Sequence, residues 1–181
     1  MITEELKIGS MAPAFSNLPG TDGTRYSLST FADKKIVVIV FSCNHCPYVQ
    51  AYEGRMIAFQ RDYAQKSVQL IAINSNETVH YPEDNFDEMV KRAKTQGYNF
   101  PYLRDDDQSV AASYGATHTP QFFVFDEERT LRYRGKLDDN YKNPSDVKVN
   151  YLRNAVDAIL TGKDVAEQET YSIGCTIKWQ T

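Results

Sequence analysis

The stretch Lys35-Ile36-Val37-Val38-Ile39-Val40-Phe41-Ser42-Cys43-Asn44-His45-Cys46-Pro47 decides the fold. From Lys35 to Phe41 it is an unbroken, mostly β-branched run, the pattern of a strand buried on both faces of a sheet. It predicts a central strand. Beyond the cysteine pair, Val49, Tyr52, Met56, Phe59 and Tyr63 recur at alternating steps of three and four, which lays one apolar stripe along a helix. The dithiol therefore falls where strand gives way to helix. Free N–H groups and the dipole at such a tip favour a thiolate, so Cys43 is expected at the helix N-terminus as the attacking sulfur. Cys46, about one turn further in, would attack the resulting mixed disulfide and release the reduced substrate. The competing reading is a pair of buried, inert cysteines.

Outward from this centre, strand-like and helix-like segments alternate. Val68 to Ile73 predicts a second buried strand, and Phe86, Met89, Val90 and Ala93 a second helical stripe closed by Gly97 as C-cap. A short helix through Tyr114 ends at Gly115. Gln121 to Phe125 and Leu131 to Tyr133 flank the charged turn Asp126-Glu127-Glu128 and predict an antiparallel hairpin. Val149, Leu152, Val156 and Ile159 form a last amphipathic stripe that stops at Gly162. The expected architecture is α/β, a central mixed sheet with helices on both faces. We expect one domain over residues 1–181, with an N-terminal extension (1–30), a core (31–162) and a C-terminal tail (163–181).

A chain of 181 residues with 41% apolar side chains can bury one substantial core. A formal charge of -4, from 20 basic and 24 acidic residues interspersed, provides no concentrated positive field, so neither nucleic acid nor an anionic membrane is an expected partner. The longest apolar run, Ile36 to Phe41, falls far short of the roughly 20 residues of a membrane-spanning helix. Met1-Ile2-Thr3-Glu4-Glu5-Leu6 lacks the basic flank and apolar stretch of a secretion signal, so cytoplasmic residence is expected. Three cysteines are too few, and odd in number, to staple a small secreted domain. With no second CxxC or His pair to complete a zinc site, no metal or other cofactor is expected.

Further candidates surround the pair. A protonated His45 would favour the Cys43 thiolate and make the couple more oxidising; otherwise it is a solvated loop histidine. Thr119-Pro120 directly precedes a strand, where a cis X-Pro bond can hold a backbone edge against the site. Cys175 alternates in step with Ile173, Ile177 and Trp179. It is either a small buried apolar side chain or a third redox thiol, able to accept a disulfide from the CxxC if the tail folds over it. His80 and His118 lie in loops and offer less. The acidic loop Asp138-Asp139-Asn140 is either a docking contact or solvated surface.

The succession of strand, CxxC at a helix start, βα unit, Thr-Pro, hairpin and final helix resembles the thioredoxin superfamily over most of the chain. The lead Met11-Ala12-Pro13-Ala14-Phe15 and the extra segment after the second strand are similar to its redoxin branch, shared by TlpA-like oxidoreductases and AhpC/TSA peroxiredoxin relatives. The resemblance implies a thioredoxin-like fold and thiol–disulfide oxidoreductase activity, with Cys43 attacking, Cys46 resolving and Pro120 a cis-proline beside them. It also implies that Thr119 offers backbone contacts to an extended substrate. Partners would be protein disulfide or dithiol substrates and a recycling reductase. Glu77, in Ile73-Asn74-Ser75-Asn76-Glu77, is similar in position to a carboxylate that TlpA-like proteins place near the dithiol. A half-buried carboxylate there could shuttle the Cys46 proton, whereas a Glu in a polar connection is commonly just solvated. Asn44-His45 differs from the Gly-Pro of general thioredoxins, and its histidine is more like that of the oxidising DsbA-type motif. Ser42 stands where thioredoxins usually carry tryptophan and Ala51 where a helix-kinking proline is common, so partner choice does not carry over.

Two rivals stand beside this reading. A peroxiredoxin-type peroxidase would oxidise a cysteine to its sulfenic acid. Its motif resembles Pro-x-x-x-Thr/Ser-x-x-Cys, whereas Val40 lies three before Cys43 and Cys43 itself three before Cys46. A metal carrier would hold copper(I) or zinc between the two thiolates and His45 or His118.

Overall fold

The computed structural model describes residues 4–181; Met1, Ile2 and Thr3 of the amino-terminal segment lie outside them. A two-stranded antiparallel hairpin, β1 (Leu18–Pro19) and β2 (Arg25–Tyr26), stands in the N-terminal lead. The predicted central strand follows as β3 (Ile36–Phe41), buried along its whole length, then helix α1 (Pro47–Tyr63) and strand β4 (Val68–Asn74). Helix α2 (Phe86–Gln96) ends on Gly97, whose φ of 68° is the left-handed conformation that a C-cap requires. Strand β5 (Tyr102–Arg104), helix α3 (Ser109–Tyr114) and the short strand β6 (His118–Thr119) lead to the hairpin β7 (Gln121–Phe125) and β8 (Leu131–Gly135). Helix α4 (Tyr151–Leu160) and strand β9 (Cys175–Thr176) complete the order.

The main sheet runs β5-β4-β3-β7-β8, with β3, β4 and β5 parallel and β7 and β8 antiparallel to their neighbours. It is the expected mixed sheet, and β3 is its centre. Because side chains alternate along a strand, β3 supplies both layers. Ile36, Val38 and Val40 face α1, Met89 of α2 and the Leu152/Val156 side of α4. Val37, Ile39 and Phe41 face α3 and the lead residues Phe15 and Phe31. Each such side chain contributes about 1.5–3 kcal/mol when buried, so this strand anchors the whole fold.

The predicted stripe of α1 is buried at every position: Val49, Tyr52, Met56, Phe59 and Tyr63. Two polar residues between them are buried as well. Glu53 takes Arg92 of α2 and the Tyr98 hydroxyl, and Gln60 accepts from the Leu70 amide of β4 at 2.7 Å. Val149 lies outside α4, whose N-cap is Asn150. Nor is the acidic loop uniformly solvated. Asp138 is 1% exposed, held by Arg55 at 2.8 Å and the Tyr52 hydroxyl at 2.9 Å. Among the described residues no helix is long and apolar enough to cross a membrane.

Candidate active site at the tip of the first long helix

Helix α1 starts one residue after the cysteine pair. Proline has no N–H and its φ is fixed near the helical value, so Pro47 suits the first helical position and makes Cys46 the N-cap. This corrects the expectation that Cys43 sits at the helix tip. Cys43 stands three residues earlier, in the non-helical link from β3.

Three sulfurs meet here. Cys46 Sγ lies 2.9 Å from Cys175 Sγ and 3.3 Å from the Thr119 carbonyl oxygen, while Cys43 Sγ lies 3.5 Å from Thr119 Oγ1. The C-terminal tail brings Cys175 in: β9 pairs antiparallel with β6, setting Cys175 opposite Thr119 and Thr176 opposite His118. Gly174 passes so close to the Thr119 carbonyl that any Cβ there would collide with it. Under this strap Cys43 is 2% and Cys46 3% exposed, whereas Cys175 is half-buried.

The protons divide unequally between the pair. Cys46 is lowered to about 4, first by the Cys43 thiol that donates to it, then, against the cost of burial, by the Cys175 thiol and the N–H groups of Val49 and Cys175. One carbonyl, that of Thr119, favours the thiol form; these donors together outweigh it. Cys43 is pushed well above the ordinary thiol range, because donating to Cys46 keeps its proton in place and burial and the Asp84 charge add to this. Cys175 is pushed up to about 11 by burial and by the neighbouring Cys46. The sulfur favoured as thiolate is therefore Cys46.

A polar network holds the CxxC loop. Asp84, 2% exposed, accepts from the Asn44 amide at 2.7 Å and from Asn76 Nδ2 at 3.0 Å. The Tyr102 hydroxyl donates to Asn44 Oδ1 at 2.7 Å, and Asn44 Nδ2 reaches the Glu83 carbonyl at 2.9 Å. None of Asp84, Asn74, Asn76 or Tyr102 was expected at the site. They come from β4, β5 and the connection between β4 and α2, which no local spacing links to the cysteines.

Residues 8–134 match the model of the AhpC/TSA family. The chain belongs to that family. This redoxin is 40% identical to a hypothetical protein from Sinorhizobium meliloti 1021, over 99% of this chain and 98% of that one, with a TM-score of 0.90. It is also 40% identical to an uncharacterized conserved protein from Geobacillus kaustophilus, over 98% and 95% of the two chains, with a TM-score of 0.91. A thiol:disulfide interchange protein of the thioredoxin family from Chlorobium tepidum TLS shares the fold, with 21% identity, 87% and 99% coverage and a TM-score of 0.65. No curated protein matches the chain. The fold is thus thioredoxin-like, as the resemblance implied.

The redoxin's remaining candidates are placed as follows. The Thr119–Pro120 bond is cis. Thr119 does offer its backbone to an extended segment, and that segment is the chain's own tail. His45 points outward, 69% exposed, with Nδ1 3.3 Å from Glu83 Oε1. The Glu77 carboxylate accepts from the Val79 amide at 2.8 Å and from the His80 ring at 2.8 Å. Burial alone would raise it, but the His80 and Val79 donors hold it below the usual carboxylate range, so Glu77 does not carry the raised pKa expected of a proton shuttle. The carboxylate whose charge reaches Cys43 is Asp84. His118 bonds Thr117 Oγ1 at 2.8 Å. Among the described residues no group of three or more His, Cys, Asp or Glu is arranged to hold a metal ion. The position three before Cys46 is a thiol, Cys43, and the hydroxyl beside the sulfurs comes instead from Thr119, across the sheet.

Proposed function

We propose that this redoxin is a thiol–disulfide oxidoreductase working through the Cys43/Cys46 dithiol, with Cys46 as the attacking sulfur and Cys43 as a resolving one. The observation that carries the reading is Cys46 at the N-cap of α1 with its Sγ 2.9 Å from Cys175 Sγ, where the neighbouring thiols and the unpaired N–H groups of the first helical turn favour its thiolate. Cys46 attacks a substrate disulfide RS–SR′ and R′S⁻ leaves. Cys43 then gives up its proton and attacks Cys46 Sγ, so that RS⁻ leaves and a Cys43–Cys46 disulfide remains. Two protein thiols are oxidised and one substrate disulfide is reduced. The reverse sequence oxidises a substrate dithiol. Partners on this reading are protein disulfides or dithiols and a reductase that restores the dithiol.

With both sulfurs nearly sealed, the cycle requires the β6–β9 contact to open. That contact is two residue pairs long, short enough for local opening without global unfolding. The test is disulfide exchange with a protein substrate such as insulin. Cys46→Ser is expected to abolish exchange, and Cys43→Ser, combined with Cys175→Ser so that no other thiol lies beside Cys46, to accumulate a mixed disulfide at Cys46. Full exchange by Cys46→Ser ends the proposal. A second reading, thiol peroxidase, is favoured by the family match and the Cys46 thiolate. Rapid peroxide consumption without disulfide exchange would establish it in place of the first.

A further inference from the structure

Resting on the reading of Cys46 as the exchanging sulfur, we propose that Cys175 is a second resolving thiol, delivered by the C-terminal strap. On this proposal a Cys46–Cys175 disulfide is the form from which the oxidised site is recycled. The sulfurs stand 2.9 Å apart, closer than non-bonded sulfurs ordinarily sit. Reaching the ~2.05 Å of a disulfide takes a movement of under an ångström.

The tail is built to hold that position and to release it. On the far side of Cys175, Ile177 is buried and its amide donates to the Thr117 carbonyl at 2.9 Å. Lys178 is tied to Asn76 Oδ1 at 2.9 Å and to Gln108 Nε2 at 2.8 Å. On the near side Thr170 Oγ1 bonds the Tyr133 hydroxyl at 2.7 Å and the Lys136 amide at 2.9 Å. Between these anchors Tyr171 is 93% and Ile173 45% exposed. The strap is thus anchored at both ends with exposed residues between them, and its strand lies on the β6 edge where an extended substrate would pair. A substrate and the tail compete for that edge, so the returning tail brings a thiol to Cys46 as the substrate is expelled.

The chemistry balances. With a mixed disulfide between Cys46 Sγ and a substrate sulfur in place, Cys175 attacks Cys46 Sγ, the bond to the substrate sulfur breaks as the Cys46–Cys175 bond forms, and the departing RS⁻ takes up the proton that Cys175 gives up and leaves as RSH. An external dithiol reductant then attacks Cys175, the half-buried and outermost sulfur, and Cys46 leaves. Cys46 is the better leaving group of the two, because a thiol of low pKa departs faster. The second thiol of the reductant frees Cys175 and carries away the disulfide.

The full chain, reduced and then oxidised with glutathione disulfide, is blocked, digested with trypsin and analysed by mass spectrometry. A crosslink between fragments 36–55 and 164–178 is expected in the wild type and in Cys43→Ser. In Cys175→Ser only a disulfide within fragment 36–55 is expected, and its reduction by an added dithiol should be slower by roughly tenfold or more, since the attacked bond is buried. A wild type holding only the disulfide within fragment 36–55, with Cys175→Ser reduced at the same rate, overturns the role of Cys175 and leaves the dithiol reading intact. Finding neither disulfide overturns both.

Discussion

At the scale of the residue, the distribution of protons among three thiols is set by who donates to whom. Cys46 accepts and Cys43 donates, so the two pKa values separate in opposite directions. A titration of thiolate ultraviolet absorbance is expected to show one thiolate persisting down to about pH 4, a step absent in Cys46→Ser. Cys43→Ala removes the largest donor and should move that step upward. The same separation makes stability depend on pH. Between the ordinary thiol value of about 8.5 and about 4, the unfolded Cys46 binds a proton that the folded one does not, so its contribution is complete above that window and is lost as pH falls through it. Cys43 stays protonated in both states across the window. The stability difference between wild type and Cys46→Ser, followed by denaturant titration under reducing conditions, should therefore shrink from neutral pH toward pH 4. A pH-independent difference contradicts the assignment. Asp84 offers a second residue-level test. Asp84→Asn removes the charged acceptor for the Asn44 amide and Asn76, and should cost about 1–3 kcal/mol while lowering the Cys43 pKa.

At the scale of the element, two contacts between elements position the site. Helix α1 is pinned to α2 by the nearly buried Glu53, which holds both Arg92 and Tyr98. Truncating one partner leaves the others uncompensated, so Glu53→Ala should destabilise by roughly 3 kcal/mol in chemical denaturation. A loss below half a kcal/mol would show that the pair contributes nothing net. The other contact is β6 with β9. Gly174→Ala introduces a Cβ into the Thr119 carbonyl, so the strand must lift. Hydrogen exchange at the Ile177 amide, which bonds the Thr117 carbonyl, should accelerate, and Cys46 should be alkylated faster. The interior of β3 should keep its protection, because the main sheet does not depend on the tail. Unchanged alkylation of Cys46 would mean that the strap is not what seals it.

At the scale of the whole molecule, oxidation through Cys175 would join residues 129 positions apart, whereas the CxxC disulfide closes a loop of a few residues. In the chain-entropy account the long loop contributes up to roughly 5 kcal/mol, and the short one far less. Oxidised wild type should therefore unfold at distinctly higher denaturant than the reduced protein, and Cys175→Ser should lose most of that gain. Much of this molecule was legible in its sequence, because the features concerned are local. The all-buried run at 36–41, the stripe from Val49 to Tyr63, the cap at Gly97 and the hairpin read at 121–125 and 131–133 are periodicities and turn signals confined to segments of at most about fifteen residues. The three-residue strand β5 is too short to show a period, and Asp138 reads as surface because its partners, Arg55 and Tyr52, lie on another element. By itself the sequence determined the fold class, the family and the presence of a dithiol at the end of the central strand. Only the tertiary structure decided how the three sulfurs meet, which carboxylate's charge reaches Cys43 and what covers them all. Those depend on groups brought together across the sheet from Thr119, Asp84 and Cys175, and electrostatics at a sulfur follows distance in space rather than separation along the chain.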